Sequence, residues 1–219
     1  MINNTRCSIL STVLFTDFFG IIERIFMGRS AKNTRSRIVS TAWKLFYRDG
    51  YDNTTIDNII EEANVSKGSF YHYFESKEAL IDGISYMFDE AYEDILENLD
   101  ENLGPVDKLV TLNREIFFMI ENTVPVHLLS RILSSQLTTK GDKHLLDPDR
   151  TYFRVIRQIV IEGKESGVFK DEYSVNEICI AYSLFERGLM YDWCISNGNY
   201  AFSQYSSKIM RVFLNGFAN

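Results

Sequence analysis

The stretch SKGSFYHYFESK, at positions 66–77, concentrates side chains that form hydrogen bonds on what is predicted to be a very short helix. The ammonium group of Lys67 can donate to guanine acceptors or to a phosphate, and the hydroxyl groups of Tyr71 and Tyr73 can donate to phosphates. A glycine at position 68 removes side-chain bulk where a helix has to approach a groove. This chemistry is typical of DNA recognition. The predicted DNA contacts in this stretch are Ser66, Lys67, Gly68, Ser69, Tyr71, His72 and Tyr73, of which His72 touches either a phosphate or nothing.

Two amphipathic helices are predicted to precede this stretch. In residues 34–48, apolar residues recur at i, i+4, i+7 and i+8, and Asp49-Gly50 ends that helix. Thr54 followed by Asp57 resembles a capping box, which predicts the start of a second helix. The inward face of the first helix is predicted to be Ile38, Ala42, Leu45 and Phe46, and that of the second Ile56, Ile59, Ile60 and Ala63.

A tight turn is predicted between the second and third helices, at Asn64. Such a turn often requires a positive φ, which asparagine tolerates better than other non-glycine residues. Ser66 caps the third helix, and Phe70 and Phe74 attach it to the first two. This is the helix-turn-helix arrangement, in which the third helix enters the major groove with its N-terminal residues toward the base edges. Outside that helix, the predicted DNA contacts are Thr54, Thr55 and Lys77, at the starts of the second and a fourth helix.

A specific pattern of residues runs through positions 31–82. It comprises Ile38, Ala42, Phe46, Gly50, Tyr51, Thr54-Thr55, Ile59, Ala63, Val65 to Tyr71, Tyr73-Phe74 and Ser76 to Leu80. In composition and spacing, this pattern closely resembles the DNA-binding domain of the TetR (tetracycline-repressor-like) family of bacterial transcriptional regulators. Two residues depart from the pattern. The family usually has glycine at the position of Asn64 and alanine at the position of Ile60. The resemblance implies a C-terminal helical body that binds a small molecule and dimerises through its last two long helices.

The fold class and the charge distribution agree with this interpretation. Only three prolines occur, and apolar residues recur at helical spacing almost throughout, which predicts an all-α protein. The net charge is −7, but residues 28–80 carry eight Lys/Arg against seven Asp/Glu, whereas residues 81–219 carry 13 against 21. The acidic excess therefore lies in the C-terminal two-thirds, and the charge of the N-terminal segment permits DNA binding without proving it.

Three regions are predicted along the chain. Residues 1–30 form an N-terminal extension, residues 31–80 the helix-turn-helix DNA-binding domain and residues 81–219 the ligand-binding and dimerisation domain. The composition changes abruptly at Met27, from apolar and aromatic to polar and basic. Two explanations stay open: a misassigned start, with Met27 as the working initiator, or an extra amphipathic helix that packs on the body or touches a membrane surface.

The C-terminal body is predicted to contain several long helices, and one of them is apolar on more than one face. That helix, over residues 174–197, needs more than one partner, so one stripe can face its own subunit and the other a symmetry mate. Gly188 would allow close approach of helices. A monomer with a fully buried central helix is the alternative. The predicted helices span 76–102, 106–122, 125–139, 149–166, 174–197 and 200–217.

Two apolar stripes compete for the interface of this predicted four-helix dimer contact. The stripe assigned to the interface, with its counterparts on the last helix, consists of Ile178, Tyr182, Phe185, Leu189, Trp193, Phe202, Tyr205, Ile209 and Phe213. The second stripe consists of Ile180, Leu184, Tyr191 and Ile195.

A ligand cavity is predicted between helices of the body. The acidic excess and the aromatic content suit a lipophilic cation. The candidate lining residues are Met87, Tyr92, Phe117, Phe118, Met119 and Tyr191, although a stripe of methionine and aromatic residues at helical spacing is also what ordinary core looks like.

No residue pattern indicates an enzyme. His72, His127 and His144 share no metal-ligand spacing with each other or with the cysteines, and no phosphate loop or nucleophile elbow is present. We therefore predict no catalytic residues, no metal and no cofactor. The three cysteines are odd in number and widely spaced, which favours a reducing, cytoplasmic setting. No membrane partner is expected, since the longest uncharged run in residues 8–27 is too short to span a bilayer.

The resemblance, together with the helix-turn-helix residues, implies a ligand-responsive transcriptional regulator, a repressor that binds a palindromic operator as a homodimer and is released by a small molecule. Two alternatives belong to other classes. One is a regulator of the same shape that a protein partner controls. The other is an α-helical interaction protein tethered to a membrane through residues 8–27.

Overall fold

Residues 34–138 and 143–219 are described by a computed structural model, and α-helices make up most of them. The only β-type pairing within these two ranges is an isolated antiparallel bridge between Phe169 and Ala218. The predicted all-α class is therefore confirmed. The chain divides between Gly83 and Ile84 into two compact units, three residues after the predicted domain boundary. The predicted extension 1–30 and the start at Met27 lie outside the described residues.

The first unit contains three α-helices and a short 3-10 helix in its described part. They are α1 (Thr34–Asp49), α2 (Ile56–Glu62), α3 (Lys67–Tyr73) and the 3-10 helix Glu78–Gly83. The predicted stop after α1 is confirmed by Gly50, whose φ of +85° lies in the left-handed region that glycine adopts without strain.

The core of the first unit is built around α1, which buries more of its surface than the single face predicted for it. Ile38, Ala42 and Phe46 are fully buried, as predicted, and so is Trp43. The indole Nε1 of Trp43 donates a hydrogen bond to the carbonyl oxygen of Leu80, 3.1 Å away. Because a buried indole N–H requires an acceptor, this bond ties the 3-10 segment to α1.

The second unit consists of six α-helices in its described part. They are α4 (Ile84–Glu97), α5 (Pro105–Thr123), α6 (Val126–Thr138), α7 (Thr151–Glu165), α8 (Val175–Ile195) and α9 (Phe202–Asn215), with a 3-10 helix at His144–Leu146. Five of these match predicted spans within a few residues. The continuous helix predicted over 76–102 is wrong, because this segment contains the 3-10 helix and then α4, which ends at Glu97.

The starts of α5 and α8 follow local sequence signals, whereas two other helix starts do not. Pro105 occupies the first turn of α5, where a missing N–H costs nothing. Ser174 and Glu177 form a capping box at the start of α8. Helices α7 and α9 are the exceptions, because the N-cap side chain of neither forms a cap hydrogen bond. At α9, the Glu121 carboxylate of α5 accepts from the backbone N–H groups of Phe202 and Ser203 at 3.1 Å.

A stack of aromatic rings fixes α9 against α5 and α8. The ring of Phe202 stacks on Phe117 with centroids 4.1 Å apart, and Trp193 stacks on the same ring at 4.8 Å. Phe117 and Phe202 are fully buried and Trp193 nearly so. Rings of this size dominate the apolar area that a core removes from water, so this stack is a main element of the second unit.

Gly163, near the end of α7, lies against a buried ring. A Cβ at this position would overlap the ring of Phe169, which is itself buried, and would lie 3.1 Å from Cβ of Pro105. We expect Gly163→Ala to lower the free energy of unfolding by about 1–3 kcal/mol, because the ring has no room to move. Gly104→Ala is the control, since its Cβ meets only the Asp107 carboxylate at 4.0 Å. Chemical denaturation of both variants measures the difference, and equal stabilities would contradict this packing.

No single helix in the described ranges combines the length and the apolar character needed to cross a membrane. Helices α5 and α6 meet that criterion only as a pair, and a bend of 115° separates them.

Candidate DNA-binding interface and ligand cavity

Helix α2 is capped one residue later than the sequence predicted. The side chain of Thr55 accepts from the backbone N–H of Asn58 at 3.1 Å, and the Asn58 side chain accepts from the Thr55 N–H at 2.9 Å. The predicted capping box of Thr54 and Asp57 is therefore wrong. A Thr-Thr pair offers two possible caps, and asparagine at the third helical position completes the box for the second of them.

The turn between α2 and α3 has the conformation that the sequence indicated. Asn64 has φ of +49°, which confirms the prediction of a left-handed residue at this point. The hydroxyl oxygen of Ser66 then accepts from the backbone N–H of Ser69 at 3.0 Å, so Ser66 is the N-cap of α3. A short turn and two capped helices fix the direction in which α3 presents its first residues.

Helix α3 has one apolar face that packs into the unit and one exposed face that carries hydrogen-bonding groups. Phe70 and Phe74 are buried, whereas Lys67, Tyr71 and Tyr73 are exposed. The ammonium group of Lys67 is 3.7 Å from the Asp57 carboxylate, but both groups are open to solvent, so this ion pair is weak and readily exchanged for another partner. The exposed surface, which also includes Ser66, Gly68 and His72, matches what a groove-reading helix needs.

Two predicted phosphate contacts have structural roles instead. Thr54 is 2% exposed, and its hydroxyl donates to the Gly50 carbonyl at 2.9 Å. The ammonium group of Lys77 donates to the carbonyl oxygens of Tyr51 at 2.7 Å and Thr54 at 2.9 Å, and lies 4.1 Å from the ring centroid of Tyr51. These hydrogen bonds hold the Lys77 side chain against the loop after α1. Thr55 has a structural role as the N-cap of α2 and is also exposed.

A cavity in the second unit lies among α4 to α8. It has about 40 Å³ of free volume for the centres of water molecules, and about 520 Å³ when the open space at its mouth is counted. The smaller figure is room for a few water molecules, so a small-molecule ligand must displace wall side chains to enter. The lining residues are Phe88, Tyr92, Ile116, Phe117, Ile120, Leu129, Ile132, Leu133, Leu145, Arg150, Tyr152, Glu186, Arg187 and Met190.

Only some of the residues predicted to line the cavity do so in the structure. Tyr92 and Phe117 line the cavity. Phe118 and Met119 do not, because they lie on other faces of α5, and the hydroxyl of Tyr191 donates to the Leu133 carbonyl instead, at 3.0 Å. The side chain of Met87 lies outside the described residues.

Polar residues of the cavity wall were missed by the sequence interpretation, and Glu186 is the clearest of them. It is almost fully buried on α8, where its carboxylate accepts from Asn113 Nδ2 at 2.8 Å and from the Tyr152 hydroxyl at 2.9 Å. Burial raises the pKa of Glu186, and these hydrogen bonds oppose the rise. The available signal was its position, since Glu186 lies at helical spacing between Tyr182 and Leu189, which are both buried.

A second polar pair joins α4 to the start of α7. The Asp89 carboxylate binds the Arg150 guanidinium through two oxygens, at 2.9 and 3.1 Å. The same carboxylate accepts from the backbone N–H of Tyr152 at 3.2 Å. Both side chains are mostly buried, so this fork-to-fork contact fixes α4 on α7 more firmly than a surface ion pair would.

The stripe predicted as the dimer interface is wrong for most of its members. Ile178, Tyr182 and Leu189 are buried inside the subunit, as are Trp193 and Phe202. The remaining members, Phe185, Ile209 and Phe213, are half-buried, and Tyr205 is exposed.

The second stripe, apart from Tyr191, lies on the outward side of α8. Ile180, Leu184 and Ile195 are exposed, and a Cβ built on Gly188, between them, would meet no atom within 4 Å. On α9, Val212 is exposed in the same way as Tyr205. These residues, together called the α8–α9 stripe below, are Ile180, Leu184, Gly188, Ile195, Tyr205 and Val212.

In the described part of the chain, no group of three or more His, Cys, Asp or Glu side chains is placed to hold a metal ion.

Residues 38–84 match the family model "Bacterial regulatory proteins, tetR family". The helix-turn-helix transcriptional regulator YxaF of Bacillus subtilis is 30% identical over 172 residues, which are 74% of this chain and 85% of YxaF. IcaR of Staphylococcus aureus, the negative regulator of a biofilm operon, is 32% identical over 88 residues, which cover 40% of this chain and 47% of IcaR. The chain therefore belongs to the TetR family of bacterial regulatory proteins, and it is a DNA-binding transcriptional regulator.

Some relatives are matched over only part of their length. The helix-turn-helix regulator YuxN of Bacillus subtilis is 42% identical over 66 residues, and the match spans 23% of YuxN. Among solved structures, FadR of Thermus thermophilus, a TetR family repressor in complex with lauroyl-CoA, has a TM-score of 0.67 at 22% identity. That match covers 83% of this chain and 94% of FadR. At this identity the likeness shows a shared fold.

Proposed function

We propose that the protein is a repressor that binds a palindromic operator as a homodimer and leaves it when a small molecule enters the body. The observation that carries this proposal is α3, a short helix directly after a fixed turn, in which Phe70 and the following Phe74 are buried while the lysine and tyrosines are exposed. These donors can reach base edges and phosphates once α3 lies in a major groove. Such a regulator acts in the cytoplasm, where the operator is.

The α8–α9 stripe supports the dimer. Its residues recur on one side of each of the last two helices, and they are exposed in the single chain. Two copies related by a two-fold axis would cover each other's stripes in a four-helix contact. Such a dimer presents two copies of α3, and a spacing of about 34–36 Å would place them in successive major grooves.

The cavity supports control by a small molecule. Its wall includes α4 residues, and Ile84, the first residue of α4, directly follows the DNA-binding unit in the chain. A ligand that widens the cavity shifts α4 and changes the spacing of the two α3 helices. Ligand and operator then oppose each other reciprocally, by about 1–3 kcal/mol in typical cases. FadR with lauroyl-CoA and FadR of Bacillus subtilis with stearoyl-CoA are structural neighbours that hold ligands.

Control by a protein partner instead of a small molecule is the second candidate. A body without a cavity would favour it, and the lined space among α4 to α8 favours the small molecule.

Selection of bound duplexes from a random pool tests the proposed function. The purified full chain at modest ionic strength is expected to enrich one inverted repeat with half-sites about one helical turn apart. Enrichment of single half-sites would contradict the dimer, and failure to retain any duplex would contradict DNA binding.

Lys67→Ala is expected to weaken binding to the selected operator by about 1–3 kcal/mol and to lower the slope of affinity against salt by about one ion. The free energy of unfolding should stay the same, because the side chain is exposed and its one ion pair is open to solvent. Fluorescence anisotropy with labelled operator measures the change. Arg114→Ala removes the same charge from an exposed site on α5 and should leave affinity unchanged. If the two variants bind alike, Lys67 does not contact DNA.

A further inference from the structure

The charged groups around the cavity differ in whether the protein supplies their hydrogen-bond partners. Arg150 is paired with Asp89 through two hydrogen bonds. Glu186 accepts from Asn113 and from Tyr152. Both groups therefore have strong internal partners, and neither requires a ligand for its hydrogen bonds.

Arg187 is the exception on this wall. It is half-buried and lines the cavity, yet within the described chain its guanidinium makes no hydrogen bond or ion pair. Its influence on the neighbouring Glu186 is only a longer-range attraction. A guanidinium presents a planar fork of five N–H donors, which matches a carboxylate or a phosphate in two-point contact.

The rest of the wall is apolar. It includes Phe88, Phe117, Leu129 and Met190, together with several isoleucines and leucines. A ligand that fills such a space gains free energy from an apolar chain or ring, and one polar group suffices to orient it.

We propose that the effector is an amphipathic anion, whose apolar part fills the cavity and whose carboxylate or phosphate binds the guanidinium of Arg187. This inference rests on the proposed function, because it names the ligand class of the same cavity. It differs from the lipophilic cation that the composition of the sequence suggested. A cation would be repelled by Arg187 and would find the Glu186 carboxylate already hydrogen-bonded to Asn113 and Tyr152.

A set of probes with one chain and four head groups tests the ligand class. Decanoate, decanoyl-CoA, decanol and decylammonium, each below its micelle concentration, are titrated into the full chain by calorimetry. At least one of the two anions should bind about 10-fold more tightly than decanol, and decylammonium should bind more weakly than that anion. Which anion binds distinguishes a free carboxylate from a phosphate-bearing carrier. Equal binding of all four probes, or tightest binding of decylammonium, would overturn the proposal.

Substitutions at Arg187 assign the anion contact to this side chain. Arg187→Gln should lower affinity for the anionic probe by about 10-fold to 100-fold and leave decanol binding unchanged, which also shows that the cavity remains folded. Arg187→Lys should retain part of the preference for the anion. Arg114→Gln, at an exposed site on α5, is the control and should bind as the unmodified protein does. Unchanged anion affinity in Arg187→Gln would overturn the assignment.

Failure of this inference can be told apart from failure of the proposed function. The calorimetry contains no DNA, and the operator selection contains no ligand. If the operator is selected as an inverted repeat while no anion binds preferentially, the ligand class is wrong and the regulator stands. If no duplex is retained, the proposed function itself fails.

Discussion

Leu184→Asp is expected to convert the protein to a monomer and to reduce operator affinity by about 100-fold or more. Leu184 is 57% exposed in the single chain and lies near the middle of the α8–α9 stripe, between Ile180 and Gly188. In a two-fold contact the new carboxylate would be buried without a partner, close to its symmetry mate. A monomer contacts one half-site only and loses the binding energy of the second.

Sedimentation equilibrium and anisotropy on the selected operator measure the two effects. Leu137→Asp is the matched control, since Leu137 is an exposed leucine on α6, outside the stripe. It should remain dimeric and bind DNA normally. A dimeric Leu184→Asp variant with unchanged operator affinity would show that the stripe is not the interface.

Asp89→Ala is expected to lower the free energy of unfolding of the second unit by about 3–5 kcal/mol. The change removes the carboxylate from a pair whose side chains are only 15% and 9% exposed, so the buried Arg150 guanidinium loses both of its hydrogen bonds to Asp89. It also removes an acceptor from the backbone N–H of Tyr152. Urea denaturation followed by circular dichroism measures the loss.

Glu93→Ala provides a control on the same two helices. Glu93 of α4 pairs with Arg154 of α7 at 2.7 Å, but these side chains are 51% and 66% exposed. Solvent competes for such a pair, so we expect a loss of at most about 1 kcal/mol. Equal losses in the free energy of unfolding for the two variants would show that burial does not distinguish the two ion pairs.

The DNA-binding unit was largely predictable because its signals are local. The positive φ of Asn64 and the Ser66 cap depend on residues within three or four positions, and both predictions are confirmed. The errors at Thr54 and Lys77 have a different cause. A threonine and a lysine can serve DNA or the protein equally well, and only the folded chain shows that carbonyl groups at Gly50, Tyr51 and Thr54 already accept from them.

The body was less predictable, because its decisive contacts are between distant residues. Helix α8 is apolar on two sides, and periodicity does not tell which side meets the subunit's own core. The fully buried Tyr182, whose hydroxyl donates to the Leu109 carbonyl, marks the inner side only in the folded protein. In the same way, nothing near Glu186 in the sequence predicts its bonds to Asn113 and Tyr152, which lie 73 and 34 positions away.

The central claim is that two copies of α3, held by one dimer, read one palindrome. The mass of the complex with the selected operator, measured by native mass spectrometry, tests this most directly. We predict two protein chains on each duplex, or a pair of such dimers, and no complex with a single chain. A stable complex of one chain with the full operator, or no complex at all, would contradict the claim.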